Sequence, residues 1–308
     1  MRHAFCTLRF YKLMAIHIPV MVEEVMMFLR CEPGQTHVDA TLGGGGHARE
    51  ILGRTAPDGV LIGVEWDEDA ISEARTTLDP FGDRVKIFRE NFIQLPVLLK
   101  AMKVKEVDGI FLDLGLSSFQ LEKVEKGFSF KGVGPLDMRM DQRMERTAGD
   151  LVNHLSSGEL EVTLAQYGEE RWANRIAKAI VLERNRGPIQ TTQALRKIVC
   201  QAIPRRFQSK KIDPATRTFQ ALRIKVNNEL ENLRKILAVG WTLLRRGGRM
   251  CVISFHSLED RMVKETFRKL EGEGKMHILT KKPVRPSEEE RKRNPRSRSA
   301  KLRCAERV

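Results

Sequence analysis

A glycine run between a carboxylate and a helix-forming stretch is the first feature that could do chemistry. It reads Asp39-Ala-Thr-Leu-Gly43-Gly44-Gly45-Gly46-His47. Glycines let a backbone approach a ligand closely, and the first turn of a following helix offers unpaired N–H groups. The run also satisfies the spacing G-x-G-x-x-A of nucleotide-binding loops, although a tight turn without a ligand would show the same pattern.

Glu65 lies roughly 20 residues beyond this loop, where a carboxylate in nucleotide-binding folds accepts hydrogen bonds from both hydroxyls of a ribose. The loop and the acid together predict a nucleoside-containing cofactor. They do not distinguish NAD from S-adenosylmethionine, because both carry that ribose. An exposed glutamate without a ligand is the alternative interpretation.

A second carboxylate, Asp113, ends an apolar run and is followed by Leu-Gly-Leu-Ser117-Ser118-Phe-Gln120. A carboxylate at the rim of a sheet, followed by a glycine and hydroxyl groups, is well placed to contact cofactor and substrate together. Ser117 and Ser118 fit the N-cap of a helix equally well.

Two further clusters of polar residues fit structural roles better than catalytic ones. His256 and Ser257 suggest a hydrolase, but the chain has no G-x-S-x-G motif, and Ser257 with Glu259 is typical of a helix start. Asp137 and Asp141 flank an arginine and offer too few oxygen ligands for a cation, so an ion-pair network is favoured and no metal is expected.

The first half of the chain alternates strand-like and helix-like segments. Strands are predicted at 38–40, 60–65, 85–89 and 107–114, and helices from 48, at 69–78 and at 95–102. This alternation predicts an α/β fold with a parallel sheet covered on both faces, and such sheets bind ligands outside the carboxyl ends of their strands. Asp39, Glu65, Asn91 and Asp113 all lie at those ends.

The alternation stops near residue 127. From there to about residue 215 the chain is rich in helix formers, and we interpret 127–217 as a helical insertion between a first core segment, 16–126, and a second, 218–308. In the second segment we expect one long amphipathic helix from Phe219 to Leu237, a helix at 258–270, and strands at 249–255, 277–280 and 301–307. The charged tail at 281–300 is expected to be mobile until it binds a partner.

The positive charge is confined to two parts of the chain. The 308 residues carry a formal net charge of +14. Segment 167–225 has 14 basic and four acidic residues, and segment 281–303 has ten basic and three acidic ones, so the rest of the chain sums to −3. Two such segments are typical of a surface that binds a polyanion, and nucleic acid is favoured over a merely solvated surface.

Composition also limits the compartment. With 41% hydrophobic and 31% charged residues, and no apolar run approaching the roughly 18 residues of a membrane span, a water-soluble globular protein is expected. Five scattered cysteines without zinc-site spacing favour a reducing compartment, and we expect the cytoplasm. Residues 1–15 are interpreted as a dispensable leader without fixed structure, upstream of an alternative start at Met14.

Long motifs in a fixed order carry a resemblance that extends from about residue 16 to the C-terminus. They are His17-Ile-Pro-Val-Met21, 39–47, 113–120, Gly127-Phe-Ser-Phe130, Pro135-Leu-Asp-Met-Arg-Met-Asp141, Tyr167-Gly-Glu-Glu170, 214–223, 226–230, 254–261 and Arg298-Ser-Ala-Lys-Leu-Arg303. In these motifs the chain resembles the bacterial small-subunit ribosomal RNA methyltransferase H family, also called the MraW type.

The resemblance implies a class I, Rossmann-like methyltransferase fold with an inserted helical domain. It implies S-adenosylmethionine as the cofactor, and as the reaction methylation of the exocyclic N4 of cytidine 1402, in customary numbering, in the decoding centre of 16S rRNA. The family's cofactor contacts fall on Gly45, Gly46, His47, Glu65, Phe92, Asp113 and Gln120. The family usually has Asp at position 65, and Glu keeps the carboxylate but is one methylene longer.

The implied chemistry sets requirements on the site. A cytosine N4 amine is a poor nucleophile because its lone pair is delocalised into the ring, so it must be held in line with the methyl group and hydrogen-bonded by acceptors. Other amino methyltransferases place an Asp or Asn before two prolines here, whereas this chain has Asp113-Leu-Gly-Leu. We expect Asp113 to be the catalytic centre, with Ser117, Ser118 and His256 as secondary candidates.

The same reaction requires a surface for RNA. Lysines and arginines of the insertion and tail would contact phosphates, and Phe128, Phe130 or Trp172 could stack on a base, although core packing is favoured for Trp172. The expected partner is 16S rRNA, within the small subunit or naked, and the sequence leaves open whether the protein is a monomer or a homodimer.

Two other classes of protein remain as alternatives. One is an RNA-binding or ribosome-assembly protein with a vestigial pocket, against which the intact glycine loop and Asp113 argue. The other is an NAD-dependent dehydrogenase, suggested only by G-x-G-x-x-A.

Overall fold

A seven-stranded sheet organises the part of the chain that the computed structural model describes, residues 19–130, 132–209 and 212–308. The leader expected at residues 1–15 lies outside the described residues. In chain order the strands are β1 Thr36–Asp39, β2 Val60–Glu65, β3 Val85–Arg89, β4 Val107–Asp113, β5 Leu244–Ser254, β6 Met276–Ile278 and β7 Lys301–Arg307. Their spatial order is β3-β2-β1-β4-β5-β7-β6. Strands β1 to β5 pair in parallel, whereas β7 is antiparallel to both of its neighbours.

Helices connect and cover these strands. The α-helices of the described residues are α1 Val22–Leu29, α2 Gly46–Arg54, α3 Glu68–Leu78, α4 Leu95–Ala101, α5 Ser118–Glu122, α6 Ala148–His154, α7 Ser157–Gly168, α8 Ala173–Arg184, α9 Thr192–Ala202, α10 Thr216–Asn227, α11 Glu229–Val239, α12 Ser257–Gly272 and α13 Glu288–Arg293. None of the helices in the described ranges is long and apolar enough to span a membrane.

Side chains that alternate along the strands face two apolar layers. In β4, Ile110 and Leu112 belong to the layer formed with α4, α11 and α12, whereas Phe111 belongs to the layer formed with α1, α2 and α3. All three side chains are completely buried, and each such burial contributes about 1.5–3 kcal/mol. A parallel sheet covered on both faces requires these nearly continuous apolar strands. The predicted α/β fold is confirmed.

A third apolar cluster, in addition to the two layers that cover the sheet, lies among helices α6 to α10. Its buried members include Leu151, Ile176, Leu195 and Leu222. Capping boxes begin two of its helices: Thr147 with Asp150 at α6, and Ser156 with Glu159 at α7. These helices therefore have a core of their own beside the sheet.

The aromatic residues proposed to stack on a base occupy different environments. Phe128 is only 6% exposed within the insertion cluster, so the prediction that it could stack on a base is wrong. Phe130 packs edge-on against Phe219 with ring centroids 5.0 Å apart. Trp172 is half-buried against the same cluster, as favoured from its spacing.

The expected long helix from Phe219 to Leu237 is instead two helices, α10 and α11. Asn228 separates them with a left-handed backbone conformation, φ 51°. Asparagine tolerates this region better than most residues because its short polar side chain can hydrogen-bond locally. The prediction of one continuous helix was wrong because the apolar spacing continues on both sides of the break.

The tail is folded, which corrects the expectation of a mobile segment. It contains α13 and a short 3₁₀ helix, Pro295–Ser299. The Met21 N–H donates to the Glu290 carboxylate at 2.8 Å, and Ser297 and Ala300 are completely buried. High charge predicts disorder only where few residues are buried, and here every third residue from Asn294 to Ala300 packs inward.

Candidate active site

A cavity of about 1190 Å³, including its open mouth, lies at the carboxyl ends of the parallel strands. The glycine loop and the ends of β2 and β4 form one wall. Helices α11 and α12 and the tail contribute further lining residues. Since ligands of open α/β sheets bind at this edge, the topology alone makes the cavity the first candidate for the active site.

The glycine loop turns sharply between β1 and α2. Gly43 and Gly45 have φ of 50° and 83°, which favours glycine at both positions. An added Cβ at Gly43 would meet only the Thr41 carbonyl oxygen, at 3.9 Å, so the backbone there borders open space. Gly46 lines the cavity, whereas Gly45 turns toward α3 and does not line it.

His47 lies in the first turn of α2 and is 5% exposed. Its Nε2 is 2.8 Å from the Val20 carbonyl oxygen, which places the ring proton on Nε2 in the neutral form. Its Nδ1 is 3.7 Å from Asp113 Oδ2, and its ring packs on Phe111. His47 thus brings the glycine loop next to the end of β4.

Glu65 ends β2 and directs its carboxylate into the cavity. Oε2 accepts from the Gly43 N–H at 2.9 Å, and Oε1 accepts from the N–H groups of Trp66 and Asp67 at 2.9 and 3.0 Å. Burial raises the pKa of this carboxyl against the lowering effect of those N–H groups. The longer Glu side chain is therefore held by three backbone donors, one of them in the glycine loop.

Asp113 ends β4 beside His47 and lines the same cavity as Glu65. Its backbone N–H donates to Thr41 Oγ1 at 2.6 Å. Within the described ranges, its buried Oδ1 has no hydrogen-bond partner. Burial raises the pKa of Asp113 well above its ordinary value, and the nearby carboxylates of Asp39 and Glu259 raise it further. Asp113 therefore lines the cavity with a carboxyl group, one oxygen of which is buried without a partner among the described residues.

An aromatic pair borders the site beside Glu65. Phe92, which follows β3, and Trp66, which follows β2, both line the cavity, and their ring centroids are 6.5 Å apart. Phe92 was predicted as a cofactor contact, whereas Trp66 was missed. Its position immediately after Glu65 at a strand end was the available signal.

Ser117 and Gln120 line the cavity from the start of α5. They form a reciprocal cap: Ser117 N–H donates to Gln120 Oε1 at 3.1 Å, and Gln120 N–H donates to Ser117 Oγ at 3.2 Å. Gln120 Nε2 also donates to Asp67 at 2.8 Å. Ser118 is the first residue of α5, and its side chain lies outside what the structure describes. The helix-cap interpretation of Ser117 is confirmed.

His256 does not line the cavity within the described part of the chain. It is the N-cap of α12 and forms a capping box with Glu259. The helix start was predicted one residue later, at Ser257. Ser257 Oγ instead donates to the Glu169 carboxylate.

Two carboxylates that line the cavity from α11 and α12 were not predicted from the sequence. Glu259 is 2% exposed, lines the cavity and accepts from the Phe255 N–H at 2.9 Å. Burial raises its pKa, but the adjacent His256 and Arg223 outweigh this, so the net shift is downward. Glu229 also lines the cavity, and its carboxylate accepts hydrogen bonds from Arg223 Nε and Nη2, both at 2.8 Å. Only the fold brings these residues near Asp113.

The ion pairs predicted around Asp137 and Asp141 are present. Arg139 Nε donates to Asp137 at 2.8 Å, and Arg143 Nη2 lies 2.8 Å from Asp141. No cluster of metal-ligating side chains occurs in residues 19–130, 132–209 and 212–308.

Comparison with known proteins places the chain in a family. The sequence profile of the MraW methylase family matches residues 14–308. The chain belongs to the MraW methylase family. Ribosomal RNA small subunit methyltransferase H of Syntrophobacter fumaroxidans is 47% identical over 305 residues, covering 94% of this chain and 96% of the relative. The protein of the same name from Desulfotalea psychrophila is 50% identical over 293 residues, covering 95% and 98%.

Among solved structures, Aeropyrum pernix fibrillarin with natively bound S-adenosyl-L-methionine aligns with a TM-score of 0.42 and 11% identity, covering 92% of this chain and 71% of that one. The seven-stranded sheet and the MraW match together confirm the Rossmann-like methyltransferase fold. The protein is therefore an S-adenosylmethionine-dependent methyltransferase, as the resemblance implied.

The cavity of this MraW methylase fits that cofactor on its own chemistry. Its lining carboxylates, Glu65, Glu90, Asp113, Glu229 and Glu259, suit a ligand that carries a positive sulfonium and an ammonium. Glu65 lies where a ribose would be held, and Trp66 and Phe92 offer apolar rings to an adenine. The backbone at Gly43 leaves room for close approach.

Proposed function

We propose that this MraW methylase transfers a methyl group from S-adenosylmethionine to the exocyclic N4 of a cytidine in 16S rRNA, cytidine 1402 in the decoding centre. Both relatives described above are named as small-subunit rRNA methyltransferases, which supports rRNA as the substrate. We place the reaction in the cytoplasm, on rRNA within the small subunit.

The observation that carries this proposal is the position of Asp113 in the cavity wall, with a raised pKa and, among the described residues, one carboxyl oxygen without a partner. When bound, S-adenosylmethionine supplies an electrophilic methyl group. The Asp113 carboxylate accepts a hydrogen bond from the N4 amine, which localises its lone pair and fixes its direction of attack. The same carboxylate would stabilise the positive charge that develops on N4 as the methyl group leaves the sulfonium, which becomes a neutral thioether, and would take the proton that N4 loses.

The surroundings of Asp113 prepare it for that step. Its raised pKa brings the carboxyl closer to the range in which a general base is most effective at neutral pH. Thr41 fixes its backbone, and His47 lies beside Oδ2. We assign Ser117, Ser118 and His256 to positioning this wall rather than to the proton transfer. Six of the predicted cofactor contacts line the cavity and remain proposed: Gly46, His47, Glu65, Phe92, Asp113 and Gln120. Gly45 faces α3 instead, so we propose that it acts only by shaping the turn of the loop.

We propose residues 127–217 as the RNA substrate domain, and a group of exposed arginines around one exposed and one half-buried aromatic ring supports this. Phe207 is 43% exposed, and its ring centroid is 5.2 Å from that of Trp172. The Arg171 guanidinium lies 5.1 Å from both rings, and that of Arg206 lies 4.8 Å from Phe207. Guanidinium and aromatic planes are the surfaces on which unpaired bases stack.

The test is mass spectrometry of 16S rRNA nucleosides from cells with and without the gene. We expect loss of one N4 methyl group at the target cytidine in cells without the gene, and its return on complementation. Identical nucleoside profiles in the two strains would overturn the proposal.

A further inference from the structure

The folded tail brings one cation into the wall of the active-site cavity. Residues 287–299 continue from α13 through Asn294 into the short 3₁₀ helix, and Asn294 and Arg296 line the cavity. The segment is fixed by the Met21–Glu290 hydrogen bond and by the buried Ser297. Arg296 is therefore held at the cavity by ordered structure.

Arg296 is the only lysine or arginine among the described residues that line the cavity, against five carboxylates. Its side chain is 40% exposed, and its Nη2 donates to Glu122 Oε1 at 3.0 Å, where Glu122 is itself 57% exposed. A guanidinium has five N–H donors, and an exposed pair of this kind is worth little by itself. Most of the guanidinium N–H groups of Arg296 therefore remain available to a ligand at the opening of the cavity.

The anion that suits this position is a phosphate of the substrate. Arg296 belongs to the basic segment 281–303, which carries a net charge of +7, so it brings a cation of that segment to an otherwise acidic cavity. A nucleotide that enters the cavity base-first leaves its phosphates at the mouth. Arginine recognises phosphate through two parallel N–H donors.

We infer that Arg296 binds a backbone phosphate next to the target cytidine and so positions the base toward Asp113. This rests on the proposed function, since it assumes a nucleotide substrate. Arg296 is a positioning residue: it fixes where the nucleotide enters and takes no part in the proton transfer. The alternative source of the anion is the carboxylate of the cofactor's methionine half.

The test measures two affinities separately for Arg296→Gln. Binding of 16S rRNA that lacks the modification is measured by filter retention across a salt series, and S-adenosylmethionine binding by calorimetry. Loss of a charge-assisted hydrogen bond should weaken RNA binding about tenfold or more and reduce the slope of log K against log salt by about 1. Cofactor affinity should be unchanged, and Arg296→Lys should recover part of the loss.

Two controls separate this role from a structural one. Glu122→Gln breaks the same ion pair but keeps the guanidinium, so it should leave RNA binding intact or stronger. Lys100→Gln removes one charge at the C-terminal end of α4, which lies at the amino ends of the strands, away from the cavity. This variant should change RNA binding far less.

Three results would overturn the inference: unchanged RNA binding by Arg296→Gln, weakened cofactor binding with RNA binding intact, or an equal loss of RNA binding in Glu122→Gln. The second would assign the anion to the cofactor. Because these are binding measurements, they are independent of methyl transfer. A wild-type protein that transfers no methyl group to rRNA would contradict the proposed function instead.

Discussion

Asp113 combines three properties that a catalytic acceptor needs. It lies at the end of a rigid central strand, its Oδ1 has no partner among the described residues, and its pKa is raised by burial and by neighbouring carboxylates. We predict that Asp113→Asn lowers the single-turnover rate of methyl transfer by about 10²- to 10⁴-fold. The amide keeps the shape of the side chain but cannot take a proton.

The matched control is Asp108→Asn, at the opposite end of the same strand, where the carboxylate accepts from the Thr36 N–H. It should lower stability without a comparable loss of rate in the folded protein. Full activity of Asp113→Asn would remove the catalytic assignment.

Asp39 provides a test of the electrostatics around Asp113. Burial raises the pKa of Asp39 to about 7, and its negative charge in turn raises the pKa of Asp113. Asp39→Asn removes that charge, so Asp113 should lose its proton at lower pH. Since the base acts when deprotonated, the acid side of the pH–rate profile should move to lower pH. An unchanged or upward-shifted profile would show that Asp39 does not influence the base.

At the scale of single residues, sequence reasoning found the groups that end strands. Glu65 and Asp113 each close an apolar run, and that position fixes where a carboxylate points in a parallel sheet. Glu229 and Glu259 could not be found in this way, because they reach the cavity from helices more than 100 residues away in the chain. The distinction between Gly46, which lines the cavity, and Gly45, which does not, depends on backbone direction alone.

Among the elements, the junction of α10 and α11 determines how the helical cluster joins the sheet. It lies beyond the expected boundary at residue 217, because α10 packs within that cluster. Asn227 accepts from the Met140 N–H and donates to the Met138 carbonyl, both at 2.8 Å, so it ties the 138–140 loop to α10. We predict that Asn227→Ala lowers the free energy of unfolding by about 2–3 kcal/mol, because it leaves buried backbone groups unpaired. Urea denaturation measures the change.

Asn228→Gly is the control at the neighbouring position. Its φ of 51° is accessible to glycine without strain, so stability should change by only a few tenths of a kcal/mol. Equal losses for the two variants would mean that the break itself, rather than the Asn227 hydrogen bonds, holds the junction.

The elements were predictable where their pattern is local. The segments 60–65, 85–89 and 301–307 are strands as expected. The first is a short apolar run, and the other two mix apolar and charged residues over a length typical of strands. The break at Asn228 was not predictable, since Leu230, Leu233 and Leu237 continue the helical spacing beyond it. The folded tail was missed because its inward-facing residues, Asn294, Ser297 and Ala300, are small or polar and do not form an apolar pattern.

Across the whole molecule, the excess positive charge lies in segments 167–225 and 281–303, whereas most residues of the candidate active site lie in the rest of the chain. The two basic segments carry +17 together, whereas the remaining chain carries −3. If the basic segments contact phosphates, rRNA affinity should fall steeply with ionic strength, by counterion release, while S-adenosylmethionine affinity changes little. Parallel titrations of both ligands over a salt series would measure this. If the affinities for rRNA and for S-adenosylmethionine fell equally with salt concentration, the basic segments would not be a separate RNA-binding surface.

The most direct test of the central claim is methyl transfer by the purified protein. Small ribosomal subunits that lack the modification are incubated with methyl-labelled S-adenosylmethionine, and the labelled nucleoside is identified and mapped. We predict label on the N4 of one cytidine, at position 1402 of 16S rRNA, with incorporation by Asp113→Asn slowed by about 10²- to 10⁴-fold. Cofactor binding without label in rRNA, or label on another base, would contradict the account.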